Sequence, residues 1–283
     1  MSGKNFLSIY AKSFNWAGFF LPKETYNKCS ALYDFCRIAD NIADDDEKLE
    51  QKKTKFIQLE KDFNQKNFNN TIIKNMWSLI DEFNISLNIV HDLFDGIKFD
   101  INEKVKINSK KDLLVYSYRV AGTVGLMMAK ILKVNKKSSL KSAIDLGIAM
   151  QLTNISRDVV EDLKKNRSYI NHSFDEIKST IKLADDFYES CFYSIKEIPL
   201  NLRFSILVAR RIYRKIGYKI INKKNLKNYE KSGKIYVSNL EKTLETFLSF
   251  FDLIKLSLLN KDDSKIEHNH SIINEEINLD ERI

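Results

Sequence analysis

The chain has 283 residues, a hydrophobic fraction of 43% and a formal net charge of +8, which fit one large globular domain or two small ones. Only eight glycines and two prolines interrupt it, so the composition favours long helices and argues against a sheet-rich fold. Its three cysteines are too few and too scattered for a disulfide framework or a zinc site, which indicates a reducing compartment.

Charge and apolar content also give expectations about location. No apolar run approaches the roughly 20 residues of a membrane-spanning helix, and no secretory signal is visible. The lysine excess is typical of a compositionally biased genome, so we expect no nucleic-acid partner. A basic patch between positions 203 and 224 suits an anionic substrate or membrane surface. We therefore predict a cytoplasmic protein with peripheral contact at the inner face of the membrane. The patch contains Arg203, Arg210, Arg211, Arg214, Lys215, Lys219, Lys223 and Lys224.

Apolar residues recur with a helical period along most of the chain. The charged stretch 101–111 is predicted to be a connector. The polar stretch 261–283 lacks the period and is predicted to be a disordered tail. We therefore expect an all-α fold with a single domain over 1–260. The predicted helices are 4–21, 22–44, 48–68, 71–100, 112–132, 138–165, 173–195, 199–222 and 239–259.

Two of these helices carry aspartates four residues apart within otherwise apolar sequence. Asp40 and Asp44 lie in ALYDFCRIADNIADDDE, and Asp158 and Asp162 follow Asn154 in QLTNISRDVVED. On a helix, side chains four residues apart share one face. If the two faces oppose each other, four carboxylates surround one small volume, and oxygen ligands without His or Cys suit Mg²⁺ or Mn²⁺. The alternative, two solvated faces, is disfavoured by the apolar residues in the same turns.

Basic and amide side chains accompany both aspartate pairs. Arg37 precedes the first pair, Arg157 lies beside the second, and Gln151 extends the second face by one turn. With four histidines in the chain, two of them in the polar tail, a histidine relay or zinc hydrolase is disfavoured. What remains is metal-assisted handling of a diphosphate, in which cations neutralise the leaving group while a C–O bond ionises. An apolar bundle around such a site suits a substrate with a long apolar chain.

The predicted helix at 112–132 has an unusual interior, because Gly122 and Gly125 interrupt its apolar run one turn after Tyr118. Each glycine costs about 1 kcal/mol relative to alanine inside a helix. The pair indicates either close helix packing or a kink that lets backbone or ligand approach. In the preceding helix, Asp95 and Asp100 are interpreted as a solvated helix end.

At these motifs the chain resembles the squalene/phytoene synthase family, the head-to-head prenyl diphosphate synthases, and within it the bacterial phytoene synthases most. The similarity runs from about position 10 to 242. ALYDFCRIADNIAD resembles the first aspartate motif of the family, QLTNISRDVVED the second, and YAKSF and YSYRVAGTVGLMM two further stretches. The resemblance implies an isoprenoid-synthase helical bundle with the motifs facing each other across a central cavity. It also implies Mg²⁺ or Mn²⁺ as cofactor and a prenyl diphosphate as substrate.

The resemblance also assigns roles to individual residues. It places the metal ions among Asp40, Asp44, Asn154, Asp158 and Asp162. It implies catalytic roles for the four aspartates and Tyr118. It assigns contacts with the substrate to Ser13, Phe14, Arg37, Gln151, Arg157, Tyr213 and Lys234. Asn41 stands where many relatives have another aspartate, which is expected to weaken metal binding modestly.

The implied reaction condenses two geranylgeranyl diphosphate molecules to phytoene through a cyclopropyl diphosphate, releasing diphosphate. Phe14, Tyr33 and Tyr118 are candidates to stabilise its cations. Small residues at Gly18 and Ser30 leave room for a long chain and favour this twenty-carbon substrate. The alternatives are condensation of farnesyl diphosphate to a squalene-type or hydroxysqualene product, and a non-catalytic family member acting as an assembly factor. The oligomeric state stays open.

Overall fold

The computed structural model describes residues 12–258 and 267–283, and most of these residues are helical, which confirms the all-α prediction. A π-helical turn, Tyr118–Gly122, joins α6 to α7, and a 3₁₀ turn, Tyr193–Glu197, follows α9. In the described ranges, no helix is both long and apolar enough to cross a membrane. The helices are α1 (Lys12–Gly18), α2 (Lys23–Asp44), α3 (Leu49–Asn64), α4 (Thr71–Phe83), α5 (Leu87–Asp100), α6 (Lys110–Ser117), α7 (Thr123–Ile131), α8 (Lys137–Lys164), α9 (Phe174–Cys191), α10 (Leu200–Ile221), α11 (Leu226–Lys231), α12 (Asn239–Leu258), α13 (Glu267–Asn274) and α14 (Leu279–Arg282).

The predicted helix at 71–100 is two helices, α4 and α5. The Asn70 side chain accepts a hydrogen bond from the first turn of α4, which fixes the start of that helix. Asn84 then adopts the left-handed backbone conformation, with φ 49°, and ends it. Asparagine tolerates this conformation better than most residues, so the break is encoded locally. Of the first predicted helix, residues 4–11 lie outside the described ranges.

Helix α8 is the centre of the bundle and packs against α7, α9 and α10. Its apolar stripe of Ile144, Ile148, Leu152 and Ile155 is at most 2% exposed. Steps of four, four and three residues place these side chains on one face of the helix. Burial of the stripe fixes the rotation of α8 about its axis, and therefore fixes which of its other side chains can face a ligand.

Two glycines let the segment around the π-helical turn pack closely against α8. A Cβ atom at Gly147 would lie 2.2 Å from the carbonyl oxygen of Ala121, and one at Gly125 would lie 2.2 Å from that of Ala143. Such distances are far inside van der Waals contact, so both positions require glycine in this packing. Close helix packing therefore explains Gly125. The π-helical turn supplies the local departure from a regular helix that the second interpretation expected.

Replacing Gly147 by alanine is expected to lower the free energy of unfolding by about 2 kcal/mol, because the new methyl group displaces the backbone at Ala121. Gly217→Ala is the matched control. There the new Cβ would meet a side-chain methyl group of Ile181 at 3.2 Å, and alanine gains about 1 kcal/mol in helix propensity. Urea unfolding followed by circular dichroism measures both variants. Equal stability of Gly147→Ala and the unmodified protein would contradict the packing argument.

A two-residue parallel strand pair connects distant parts of the chain. Strand β1 (Val105–Lys106) pairs with β2 (Arg167–Ser168), which follows α8 directly. The sequence predicted a connector at 101–111 and no strand, because a pairing this short leaves no alternation to detect. The pairing matters for the site because it anchors the backbone of Arg167 beside the ends of α5 and α8.

The end of the chain is folded over residues 267–283, in contrast to the disordered tail expected at 261–283; residues 261–266 lie outside the described ranges. Helices α13 and α14 bury Ile273 and Leu279 completely. Arg282 Nε donates to Asp92 Oδ2 at 2.8 Å, and His270 Nε2 lies 2.6 Å from Asp145 Oδ1. Helices α13 and α14 are too short to show a helical period in the sequence. The partners of Arg282 and His270 lie more than a hundred residues away along the chain.

Truncating Arg282 to alanine is expected to lower the free energy of unfolding by about 2 kcal/mol, because Asp92 loses a charged hydrogen-bond donor while staying buried. Arg282→Lys keeps the charge but loses the two-nitrogen contact, so an intermediate loss is expected. Thermal or urea unfolding of the full chain measures both. A freely moving tail would instead leave all three proteins equally stable.

Candidate active site

A cavity of about 340 Å³ lies in the middle of the bundle. Residues of α8 between Ser139 and Asn154 line it along about 22 Å of helix. Charged and amide side chains gather towards one end, where Arg37, Asp40 and Gln151 join Asn154, and most other lining residues are apolar or small. The cavity therefore has a head region suited to an anion and a body suited to a long apolar chain.

The first aspartate motif, at the end of α2, is held by salt bridges. Arg37 Nη1 donates to Asp40 Oδ2 at 2.6 Å, and Arg167 Nη1 donates to Asp44 Oδ1 at 2.7 Å. Asp40 lines the cavity, where burial raises its pKa to about 6, and the charge of Asp44 adds to this shift. Burial also acts on Asp44, but the hydrogen bond and charge of Arg167 outweigh it and lower the pKa of Asp44.

The second motif, at the end of α8, is also crowded with charge. Arg157 Nε donates to Asp158 Oδ1 at 2.8 Å, and Lys234 Nζ lies 3.4 Å from the same oxygen. Lys234 also donates to Glu161 at 2.6 Å. Burial raises the pKa of Asp162 to about 7, and the neighbouring charge of Asp158 adds to the shift. These basic side chains place positive charge directly beside the aspartates of the motif.

Arg167 lies between the two motifs, and no pattern in the sequence indicated a role for it. Besides Asp44, its guanidinium donates to the carbonyl oxygen of Ala43 at 2.8 Å. Its positive charge opposes the raised pKa of Asp162, whereas the charge of Asp44 adds to that shift. The structure therefore brings the ends of α2 and α8 close together, as the predicted facing arrangement requires. The short strand pairing of β2 is what places Arg167 at the site. This pairing is seen in the structure but leaves no periodic pattern in the sequence.

The oxygen atoms of the two motifs fit a divalent cation. Within residues 12–258 and 267–283, no three His, Cys, Asp or Glu side chains already surround a metal position. However, Asn154 Oδ1 is buried without a hydrogen-bond partner in these ranges. A buried acceptor is unfavourable unless a ligand satisfies it, and amide and carboxylate oxygens suit Mg²⁺. The side chains that could hold the metal are those of Asp40, Asp44, Asn154, Asp158 and Asp162.

Tyr118 is turned away from the cavity, in contrast to the catalytic and cation-stabilising role expected for it. It is completely buried, and its hydroxyl donates to Asp92 Oδ2 at 3.0 Å. Tyr116, two residues earlier, lines the cavity instead. Two residues rotate a helix by about 200°, so the two tyrosines of YSY point to opposite sides. The motif was located correctly, but the sequence alone did not fix the rotation of its helix.

Asp100 joins the site at the end of α5. Its carboxylate accepts hydrogen bonds from Tyr116 Oη at 2.7 Å and from Tyr169 Oη at 2.6 Å. Burial raises the pKa of Asp100, and burial together with the Asp100 charge raises the pKa of Tyr116 well above its usual value. The interpretation as a solvated helix end is therefore wrong for Asp100. It holds for Asp95, which is exposed and pairs with Lys98. The partners of Asp100 come from two distant segments, so local sequence does not reveal them.

The remaining predicted residues divide between the cavity and its surroundings. Phe14 and Tyr213 line it with ring centroids 4.9 Å apart, and Tyr33 also lines it. Gln151 lies on the lining face of α8 as its spacing indicated. Ser13 is half-buried at the start of α1 and lies outside the lining. The structure thus brings the aromatic residues and the amide to the cavity, but not the serine.

Much of the basic patch at 203–224 is neutralised inside the protein. Arg211 donates to both carboxylate oxygens of Asp252, at 2.5 and 2.9 Å. Lys219 donates to both oxygens of Glu241, at 2.8 and 2.6 Å. These pairs join α10 to α12. The patch is therefore largely structural.

Long helices around an apolar cavity, with two acidic motifs and several arginines at one end, define an all-α prenyltransferase. Residues 8–174, more than half of the chain, match the family model of squalene/phytoene synthase. The chain belongs to the squalene/phytoene synthase family.

Relatives and solved structures agree with this assignment. The chain is 28% identical over 247 residues to 15-cis-phytoene synthase from Pantoea ananas, covering 76% of this chain and 80% of that protein. It is 34% identical over 147 residues to 15-cis-phytoene synthase from Paracoccus sp. strain N81106, covering 46% and 48%. A dehydrosqualene synthase solved with a ligand superimposes with a TM-score of 0.75 at 26% identity, covering 88% of this chain and 94% of that one. Squalene synthase from Alicyclobacillus acidocaldarius shares the fold, with a TM-score of 0.66 at 15% identity and coverage of 79% and 91%.

Proposed function

We propose that this prenyltransferase joins two geranylgeranyl diphosphate molecules head to head to form phytoene, releasing diphosphate. The cavity carries this proposal, because it runs along about 22 Å of α8 and is lined by small side chains where a long chain would pass. Gly18 is one of the lining residues, as expected if a small side chain there leaves room for a long substrate chain. Ser30 is buried but lies outside the lining. The two relatives named as 15-cis-phytoene synthases support the same product.

The diphosphate head of the substrate binds at the polar end of the cavity. Arg37 and Gln151 present hydrogen-bond donors there, and Arg157 and Lys234 approach from the second motif. Mg²⁺ or Mn²⁺, held by the aspartates and Asn154, would neutralise the diphosphate so that it can leave. The fixed guanidinium groups are already oriented by their carboxylate partners, so little reorganisation is needed when negative charge develops on the leaving group.

The aromatic lining handles the carbocations. The rings of Phe14, Tyr33, Tyr116 and Tyr213 surround the cavity near its polar end, where cation–π attraction stabilises positive charge and water is excluded. Burial and the charge of Asp100 raise the pKa of Tyr116 and so favour its neutral phenol form. In the first stage, one prenyl cation is captured by a double bond of the second molecule, and loss of a proton gives a cyclopropyl diphosphate. In the second stage, this intermediate loses diphosphate, rearranges and loses another proton to give phytoene.

Condensation of farnesyl diphosphate to a squalene-type product is the second candidate. The observation in its favour is the structural similarity to a dehydrosqualene synthase at 26% identity. The two candidates differ in how much of the cavity body the chain fills, since the site for the diphosphate is common to both. The non-catalytic alternative predicts no product from either substrate.

A product assay separates these possibilities. The purified full chain is incubated with Mg²⁺ and either geranylgeranyl or farnesyl diphosphate, and the organic extract is analysed by chromatography and mass spectrometry. We expect a forty-carbon hydrocarbon from the first substrate and a much lower kcat/KM for the second. Turnover of the fifteen-carbon substrate alone would replace the proposed function by the second candidate. Absence of product from both, with the protein folded, would favour an assembly factor.

A further inference from the structure

The outer face of α12 is apolar and exposed. Six side chains follow one another in steps of four, three, four, three and four residues, so they form one stripe along about 27 Å of helix. Each is between 51% and 82% exposed. Apolar residues normally face the core of a helical protein, so this stripe is reversed with respect to the usual pattern. Its members are Leu240, Leu244, Phe247, Phe251, Ile254 and Leu258.

The stripe widens sideways onto two neighbouring helices. Phe250, which is 53% exposed, lies beside it on α12 and contacts Phe204 of α10 with ring centroids 4.5 Å apart. Phe204 in turn contacts Phe20, which contacts the exposed Phe19. Leu200, 63% exposed, lies one turn before Phe204. We call this combined surface, consisting of the stripe, Phe250, Phe19 and Leu200, the apolar face.

The acidic residues of α12 are directed away from the apolar face. Glu241 pairs with Lys219 at 2.6 Å, and Asp252 pairs with Arg211 at 2.5 Å. Glu245 is 7% exposed and also contacts Arg211. Within residues 239–258, no acidic side chain is among the exposed residues. The apolar face is therefore free of the negative charge that would repel an anionic surface.

A positively charged edge adjoins the apolar face. A second cavity, of about 290 Å³, lies between α10 and α12. Among its lining residues, Lys255 is exposed on α12. An apolar surface with an exposed lysine at its edge, and with no exposed acid within residues 239–258, complements the surface of a bilayer that contains anionic lipids. The other charged residues of the lining are paired with one another: Arg210, Arg211, Arg214 and Lys215 form ion pairs with Glu189, Glu245 and Asp252.

The apolar face lies on the outside of a wall of the substrate cavity. Phe204 contacts Phe250 of the apolar face, and the next two residues, Ser205 and Ile206, line the cavity. On α1, Gly18 lines the cavity while the adjacent Phe19 is 84% exposed. Near Phe19 and Phe204, a single layer of helix therefore separates the cavity from whatever covers the apolar face, whereas α12 itself contributes no lining residue.

We propose that the apolar face docks the protein on the surface of a bilayer containing anionic lipids, with α12 lying parallel to the membrane plane. Side chains such as Phe247 and Phe251 enter the interface between headgroups and acyl chains, and Lys255 meets anionic headgroups. Docking itself does not depend on the proposed function. If the product is a hydrocarbon, docking also gives it a short path from the cavity to an apolar phase.

A second copy of the chain fits this surface less well. A two-helix contact needs a narrow seam with charged residues beside it to set register. The spacing of the stripe suits such a seam, but Phe250, Phe19 and Leu200 extend the surface well beyond it. Next to the seam, Thr243 and Ser257 are uncharged. The width of the apolar face and the single exposed positive charge of Lys255 favour a continuous lipid surface over a partner helix.

Vesicle co-sedimentation of the full chain tests the proposal. We expect the protein to sediment with phosphatidylcholine vesicles that contain phosphatidylglycerol, and to bind more weakly to phosphatidylcholine alone or at high salt. The double variant F247E/F251E is expected to reduce binding about ten-fold or more. F68E is the matched control, because Phe68 is 49% exposed and lies outside the apolar face. It should bind as the unmodified protein does.

Several outcomes would overturn the proposal. Failure of the unmodified protein to bind anionic vesicles is one, and equal binding by F247E/F251E is another. If the unmodified protein did not bind vesicles but formed a dimer, and F247E/F251E dissociated that dimer, the apolar face would be assigned to a second copy. All three substitutions are on exposed side chains, and circular dichroism confirms that the variants are folded. Turnover of detergent-dispersed substrate reports on the proposed function separately, and F247E/F251E should retain it.

Discussion

Asp158→Asn is expected to lower kcat about a thousand-fold, equivalent to ~4 kcal/mol of transition-state stabilisation. Asp158 accepts hydrogen bonds from Arg157 and lies 3.4 Å from Lys234. An asparagine keeps the size of the side chain but removes the negative charge that would hold a divalent cation beside Asn154. The basic side chains remain, so inorganic diphosphate should still inhibit the variant. The expected pattern is therefore a large loss in kcat with diphosphate binding preserved.

The measurement is steady-state turnover as a function of Mg²⁺ and inhibitor concentration. Asp95→Asn provides the matched control, because this exposed carboxylate pairs with Lys98 on α5, away from both motifs. It should have the kcat of the unmodified protein. If Asp158→Asn turned over normally, the second motif would hold no catalytic metal, and the diphosphate would have to be neutralised by arginine and lysine alone.

The positions of the acidic motifs could be predicted because they are local features. A spacing of four residues places Asp40 and Asp44 on one face wherever the segment is helical, and steps of three and four residues do the same on α8 for Gln151, Asn154 and Asp158. The surrounding apolar residues make the helix assignment secure. The structure shows in addition that the ends of α2 and α8 approach each other. The spacing within each motif does not predict this approach.

The rest of the site depends on contacts between distant segments. Arg167 reaches the end of α2 through a two-residue strand pairing, and Asp100 is buried because Tyr116 and Tyr169 converge on it. Neither effect leaves a periodic pattern in the sequence. Tyr118 is the clearest example. Its helix was located correctly in the sequence, but the helix is rotated so that Tyr116, two residues earlier, faces the cavity instead. Rotation is fixed by packing on α8, where Gly147 permits close approach.

Gly18→Phe is expected to lower kcat/KM for geranylgeranyl diphosphate about a hundred-fold, equivalent to ~3 kcal/mol, while farnesyl diphosphate is affected much less. Gly18 lines the cavity on α1, one turn after Phe14, whose ring lies near the polar end beside Tyr213. A phenyl group at position 18 would project into the space that the distal part of a chain must occupy. The longer substrate needs more of that space, so the variant should discriminate by chain length.

The comparison must separate loss of space from loss of stability. Lys23→Phe is the matched control, since it adds the same ring at an exposed position at the start of α2. Competition between the two diphosphates in one reaction gives the ratio of kcat/KM values directly, and that ratio is independent of the fraction of folded enzyme. An unchanged ratio in Gly18→Phe would mean that the chain does not pass Gly18. The chain would then have to extend along α8 towards Ser139 alone, and chain-length selection would belong to residues at that end of the cavity.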